Sequence, residues 1–229
     1  STSRGLGDVY KRQVLLETIL GIGMALVMAK DFHGRGLLRA AVLVPWAIPT
    51  AITAKLWAFL FSEQGIVNSI FHAHVAWQTD PWAARFSIIL ADVWKTTPFM
   101  ALLILAGLQM IPKDLYEAAR MDGANAWQRF TRITLPLAKN SIIVAVLFRM
   151  LDALRMYDLP YIMVGPNPDS PTATLSQLVV AAIRQDHVNA ASALSTLIFL
   201  LIFLIALCFV KSLGSKVAHQ AEPVVAEEE

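Results

Sequence analysis

The chain has 229 residues, of which 56% are hydrophobic and only 16% charged, with a formal net charge of +2. Soluble domains carry about 25% charged residues, so the apolar excess argues against a soluble globular enzyme. The small net charge, with no pooled basic patch, argues against a nucleic-acid partner. Cys208 is the only cysteine and rules out an internal disulfide.

The apolar residues fall in blocks of roughly 18–25, the length of a membrane-crossing helix. Residues 1–13 are polar and basic, without the apolar core of a signal peptide, and read as a non-native or truncated N-terminal segment. Val14–Ala29 is a first apolar run, short for a span and interrupted by Glu17. A basic turn over 30–36 leads to a second span, Leu37–Phe61, which contains Pro45, Pro49 and Lys55. The connector Ser62–Arg85 carries an interfacial helix within Ile66–Trp77, with Trp77 and Trp82 at headgroup level. Phe86–Ile111 is the third span, with Asp92, Lys95 and Pro98 inside it. After a polar interval comes the fourth, Ser141–Val164, with Arg149, Asp152, Arg155 and Asp158. Gly165–Pro171 is a turn cluster, and Thr172–Gln185 is an amphipathic helix with Leu175, Leu178, Val179 and Ala182 at helical spacing. Ala193–Val210 is the last span, and 215–229 is a disordered acidic tail. The fold class is all-α, a polytopic membrane protein of about five spans, with its membrane domain over 14–214.

Lys30, Arg35 and Arg39, the set Lys113, Arg120, Arg129, Arg132 and Lys139, and Lys211 with Lys216 all fall on one side. The positive-inside rule makes that side, and the C-terminus, cytoplasmic. Five spans then place Arg4, Lys11 and Arg12 outside, against the same rule, which implies a further span upstream of Ser1.

The polar interval 112–140 has the signals of a helix-turn-helix. Pro112 suits a first turn, and Asp114 and Glu117 sit near that helix's positive end. Gly123 can end the helix in the left-handed conformation, and Asn125 can cap the next. Trp127, Phe130 and Ile133 follow as an apolar stripe, and Pro136 breaks that helix or opens the next span. Two readings fit equally: an amphipathic loop lying on the membrane, or a docking hairpin whose Ala-rich side needs a partner.

The sequence Glu117-Ala118-Ala119, then Gly123, then Ile133-x-Leu135-Pro136 resembles the EAA loop of permease subunits of ATP-driven, binding-protein-dependent importers. Gly34-Arg35-Gly36, Leu43–Pro49 and Leu159–Gly165 are similar to the carbohydrate branch, first-permease type of maltose systems; within it the chain looks most like the actinobacterial trehalose importer subunit. The resemblance covers roughly Val14 to Gly214. It implies an importer permease fold in the bacterial plasma membrane. It also implies a heterodimer with a second permease, two copies of a cytoplasmic ATPase and an extracytoplasmic sugar-binding (lipo)protein. Glu117, Ala118, Ala119, Gly123, Ile133, Leu135 and Pro136 would then couple the chain to the ATPase. The first span that such subunits normally carry is the point of departure.

Charges inside a bilayer cost about 2.5–3.5 kcal/mol each even on insertion scales, so they face protein or water. Asp92 with Lys95, and Asp152 with Arg155, are i,i+3 pairs that either satisfy one another or line a passage. Lys55 and Arg149 read as snorkelling or paired. A sugar site needs planar hydrogen-bonding groups and aromatic faces. Trp46 and Thr50 beside Pro45 and Pro49, then Asp92, Trp94, Lys95 and Thr96, then Tyr157 and Asp158 supply them. The resemblance implies sugar contacts in these same segments. For Trp46 an interfacial or core role fits as well.

No Walker-type Gly-x-x-x-x-Gly-Lys occurs, so ATP hydrolysis falls to a partner chain and this subunit is not itself an enzyme. His72 and His74 have no further ligands for a metal, and no cofactor is expected. Two alternatives remain. The same machinery importing glycerol phosphate or another polar solute would show unpaired arginines in the cavity. A membrane enzyme or secondary transporter would show a catalytic pair or inverted repeats.

Overall fold

The computed structural model describes residues 2–72, 74–167, 170 and 172–221, without the side chains of 2–11 and 212–221. All regular structure among these residues is helical. In order the helices are α1 (Thr2–Ala29), α2 (Arg35–Ala47), α3 (Thr50–Leu60), α4 (Ile66–Phe71), α5 (Pro81–Gln109), α6 (Lys113–Met121) and α7 (Ala126–Arg129). A π-helical turn (Phe130–Thr134) follows, then α8 (Leu135–Leu154), α9 (Asp158–Val164), α10 (Leu175–Arg184) and α11 (Val188–Ala221).

Four segments are long and apolar enough to cross a membrane: Arg12–Ala29, Pro81–Gln109, Ala126–Leu154 and Val188–Lys211. The pair α2 and α3, bent by 87°, makes a fifth if counted as one broken span. The expected second span, Leu37–Phe61, is therefore not one rod. Pro49 cannot donate an amide to the preceding turn, and the chain turns extended at Ile48, with φ −71° and ψ 132°. The expected fourth span, Ser141–Val164, is also interrupted: α8 ends at Leu154 and α9 starts at Asp158. α1 passes through the expected boundary at Gln13 without a break, and α11 runs on to Ala221, past Ser215. The rest of the tail, 222–229, and Pro168, Asp169 and Pro171 of the turn cluster lie outside the described residues.

Local chemistry explains the helix ends. Asp80 caps α5: its Oδ1 accepts from the Trp82 and Ala83 amides at 3.0 and 2.8 Å, with Pro81 in the first turn. Inside α5, Pro98 removes an amide, while the Thr96 and Thr97 hydroxyls donate to the Asp92 and Val93 carbonyls at 2.8 and 2.6 Å. Thr174 and Gln177 form a reciprocal capping box that starts α10.

α5 is the central helix. Its Met100, Ala101, Ile104 and Leu105 form one core with Ala25 and Met28 of α1 and Ala145 of α8. Small residues let these helices approach: a Cβ on Gly107 of α5 would overlap the Ser141 side chain of α8. A second core joins α3 and α9 to α5 through Ala54, Phe61, Ile88, Ala91, Leu159 and Met163.

The connector after α3 differs from expectation in one respect. Trp77 is not free at the surface: its ring lies 4.9 Å from Phe61, and its Nε1 donates to Asn68 Oδ1 at 2.7 Å. Asn68 in turn donates to the Glu63 and Val75 carbonyls, both at 3.0 Å. Trp82 is exposed, with the Arg85 guanidinium 5.2 Å from its ring.

Candidate functional site

The hairpin over 112–140 forms by local rules. α6 ends in a two-bond C-cap: the Gly123 amide donates to Arg120 O at 3.0 Å, and the Ala124 amide to Ala119 O at 2.9 Å. That geometry needs the left-handed backbone seen at Gly123, φ +76°. Asn125 then starts α7 through a capping box with Gln128. Glu117, Ala118 and Gly123 are exposed, Ala119 and Ile133 half-buried, and Leu135 and Pro136 exposed at the start of α8. Leu115, Met121 and Trp127 also show large exposed apolar surface.

Pro136 does not break the helix. The π turn widens the register, the Leu135 amide reaching back to Phe130 O, and Pro136 falls in the first turn of α8. Ala126–Leu154 is consequently one continuous helical segment from the hairpin into the bundle. The hairpin is tied to this rod by Tyr116 and Thr134, whose hydroxyls lie 3.0 Å apart. Lys113 reaches Asp31 in the loop after α1 at 3.1 Å. That ammonium, with Arg35 also bonded to Asp31, holds the Asp31 carboxyl below its ordinary value.

A polar cleft of about 180 Å³ lies where the two helix breaks meet α5. Thr50 lines it from the α2/α3 break, and Arg155, Met156, Tyr157 and Asp158 from the α8/α9 break. Asp92, Lys95 and Thr96 face it from α5. Of the residues singled out from the sequence as sugar contacts, Thr50, Asp92, Lys95, Thr96, Tyr157 and Asp158 are thus brought together. Trp46 and Trp94 are not among the lining residues. Trp46 stacks on Phe99 at 5.2 Å, and Trp94 meets the edge of Trp57 at 5.8 Å.

The expected pairing of Asp92 with Lys95 does not occur. Lys95 Nζ instead donates to the Ile48 and Trp46 carbonyls at 2.5 and 3.4 Å. These carbonyls are freed by the break after α2, and a cation at a helix C-terminus is favoured. Asp92 pairs with Arg149. Arg149 also binds Glu17 of α1, with Nε to Oε2 at 2.5 Å and Nη2 to Oε1 at 3.0 Å, and reaches Asp152 at 3.3 Å. Gln13 donates to both Glu17 and Asp92, and Thr96 to Glu17. Glu17, Asp92 and Arg149 are 0%, 6% and 2% exposed. Asp152 and Arg155 do approach each other, at 3.8 Å, and are both exposed. Lys55 is exposed on α3 rather than turned into the protein.

The buried Gln13–Glu17–Asp92–Arg149 cluster was not assembled from the sequence, although its signal was there. A carboxylate inside an apolar run, as Glu17 is, has to find a partner within the membrane. The partner lies 132 residues away.

Residues 17–219 match the family described as binding-protein-dependent transport system inner membrane component. The chain is 45% identical over 203 residues to the trehalose/maltose transport system permease protein MalF of Thermococcus litoralis, covering 86% of this chain and 69% of that one. It is 39% identical over 204 residues to the trehalose transport system permease protein SugA of Mycobacterium tuberculosis, covering 88% and 66%. The chain therefore spans about two thirds of the length of these relatives. Among solved structures, a bacterial alginate ABC transporter in complex with an alginate pentasaccharide-bound periplasmic protein superposes with a TM-score of 0.79 at 24% identity, covering 90% of this chain and 75% of that one. The MetNI methionine ABC transporter superposes with a TM-score of 0.63 at 16% identity, covering 93% of each chain. At such identities the likeness is one of fold.

Proposed function

The chain belongs to the inner membrane components of binding-protein-dependent transport systems, and on that premise we propose that it is a sugar-translocating permease subunit driven by a separate ATPase. Its substrate is a neutral di- or oligosaccharide, with trehalose or maltose the first to test, since relatives at 45% and 39% identity carry those names. The partners are a second related permease, two copies of a cytoplasmic ATPase and an extracytoplasmic sugar-binding protein. The hairpin and the C-terminus lie on the cytoplasmic side.

One observation carries the reading: a single helical segment, Ala126–Leu154, begins in the hairpin and ends at the cleft. Movement of the hairpin therefore reaches the cleft without crossing a loop. Glu117, Ala118, Ala119 and Gly123 form the docking edge, where small side chains admit close approach of the ATPase. Ile133, Leu135 and Pro136 belong to the rod itself, at the point where the hairpin runs into the bundle. In the cleft, Thr50, Tyr157 and Asp158 offer donors and acceptors to sugar hydroxyls, while Asp92, Lys95 and Thr96, already bonded to Arg149, the α2 carbonyls and Glu17, shape the wall behind them. Trp46 and Trp94 support the walls by stacking.

The cleft's charges also discriminate between solutes. Its acids are Asp92, Asp152 and Asp158, and its bases Lys95 and Arg155. Lys95 is engaged with backbone carbonyls, so no free cationic cluster faces the lumen. This favours a neutral polyol over glycerol phosphate. Uptake of radiolabelled trehalose and maltose by the reconstituted transporter is the test. ATP-dependent accumulation competed by unlabelled sugar is expected. Competition by glycerol phosphate alone would overturn the sugar assignment.

A further inference from the structure

Two buried polar side-chain atoms lack a hydrogen-bond partner among the described residues: Oγ1 of Thr53 and Nε1 of Trp57. Thr53 is fully buried, at 0% exposure. The two residues are four apart on α3, so they share one face of the helix. Thr50, one turn before Thr53, lines the cleft. A polar row, Thr50, Thr53 and Trp57, thus leads from the cleft into the packed region between α3, α9 and α5. Buried donors and acceptors are nearly always satisfied, and leaving one unmade is costly. Packing alone does not require these atoms, since valine has the shape of threonine without the hydroxyl.

The surroundings indicate what satisfies them. α3 and α9 each begin at a helix break, and both pack on α5 through one apolar core. Non-helical backbone at 48–49 and 155–157, rather than continuous helix, joins these two short helices to α2 and α8. The cleft's 180 Å³ is below the roughly 300–1,000 Å³ of small-molecule sites, so as it stands it is too small to enclose a whole di- or oligosaccharide. The Trp57 ring is held by Phe61 at 5.6 Å and Trp94 at 5.8 Å, which fixes the direction of its N–H.

We propose that Thr53 and Trp57 form a second station for substrate hydroxyl groups, closed in this conformation and exposed when α3 and α9 move off α5. There the indole N–H donates to a hydroxyl oxygen, and the threonine hydroxyl accepts from or donates to its neighbour. The ligand class is a neutral polyhydroxylated solute. The inference rests on the reading of the cleft as a sugar passage.

The test uses Thr53→Val, Trp57→Phe and the cleft variant Asp158→Asn in the whole reconstituted transporter. Maximal uptake rate, half-saturating concentration and thermal unfolding are measured for each. A station occupied in transit predicts that Thr53→Val melts at or above the parent, because an unpartnered atom is gone. Its maximal uptake rate falls about tenfold at unchanged half-saturation, the equivalent of one hydrogen bond lost in the rate-limiting state. Trp57→Phe loses uptake by a similar factor. If Thr53→Val melts lower than the parent and transports normally, the atoms serve a structural water only and the proposal fails. If Asp158→Asn is impaired while Thr53→Val keeps full uptake, the second station fails and the sugar passage stands. If both transport normally, the passage reading itself falls, and the station with it.

Discussion

Replacing Arg149 by methionine removes the only cation from a fully buried cluster. Glu17 and Asp92, at 0% and 6% exposure, would be left facing each other with Gln13 as their remaining shared donor. Breaking a buried ion pair from one side costs about 3–5 kcal/mol, because the stranded charge has no solvent. For a chain of this size about 1 kcal/mol lowers the melting temperature by roughly 2–4 °C. Arg149→Met should therefore melt roughly 10 °C below the parent in detergent, by tryptophan fluorescence. Adding Glu17→Gln removes the carboxylate most completely enclosed and should restore about half of the loss. The double-mutant coupling should then exceed about 1 kcal/mol. If Arg149→Met melts within about 2 °C of the parent, or the two changes simply add, the cluster is not the tie between α1, α5 and α8 described above.

Lys95→Met leaves the Ile48 and Trp46 carbonyls without their cation; a spin-label pair across α2 and α3 should report a broader distance distribution than in the parent. Asn68→Leu strands the Glu63 and Val75 carbonyls and the Trp77 indole N–H, a loss of about 3 kcal/mol at roughly 1 kcal/mol per bond. Limited proteolysis should then cut within 62–80 at enzyme levels that leave the parent intact. The Asp31 carboxyl titrates below its ordinary 3.8, chiefly through its hydrogen bond with Lys113. A lowered carboxylate stabilises above its ordinary value and loses that contribution as pH falls through the lowered one. Hydrogen exchange in α6 should stay flat from neutral pH down to about 4 and rise below it, after correction for intrinsic rates. Lys113→Met should exchange at neutral pH as the parent does in acid.

What was legible in the sequence was mostly local. Gly123 and Asn125 announce the hairpin because caps and turns are fixed by residues a few positions apart, and the structure has them where expected, while Pro112 falls one position earlier than expected, at the N-cap of α6 rather than in its first turn. Apolar run lengths gave the spans for the same reason. The breaks were less legible. Pro49 was visible, but a proline alone does not distinguish a kink from an 87° turn. The interruption over 155–157 contains neither proline nor glycine; Pro160, tolerated early in α9, was its one local sign. Pairings across the bundle were least legible. The i,i+3 rule joined Asp92 to Lys95, but a guanidinium from α8 and freed carbonyls from α2 competed for them and won. Trp46 and Trp94 had the right composition for a sugar platform, yet rings that can stack on Phe99 and Trp57 do so.

In the proposed mechanism the hairpin transmits ATP-driven movement to the cleft. Gly123→Asp tests it directly, because the left-handed turn at φ +76° sits on the exposed edge that we propose docks the ATPase. Sugar uptake and ATP hydrolysis should be measured side by side in proteoliposomes containing the whole transporter. The predicted result is a variant that is present in the membrane at parental level, with uptake lost by at least about tenfold and hydrolysis no longer stimulated by the loaded binding protein. Normal uptake with normal stimulation in Gly123→Asp would contradict the claim.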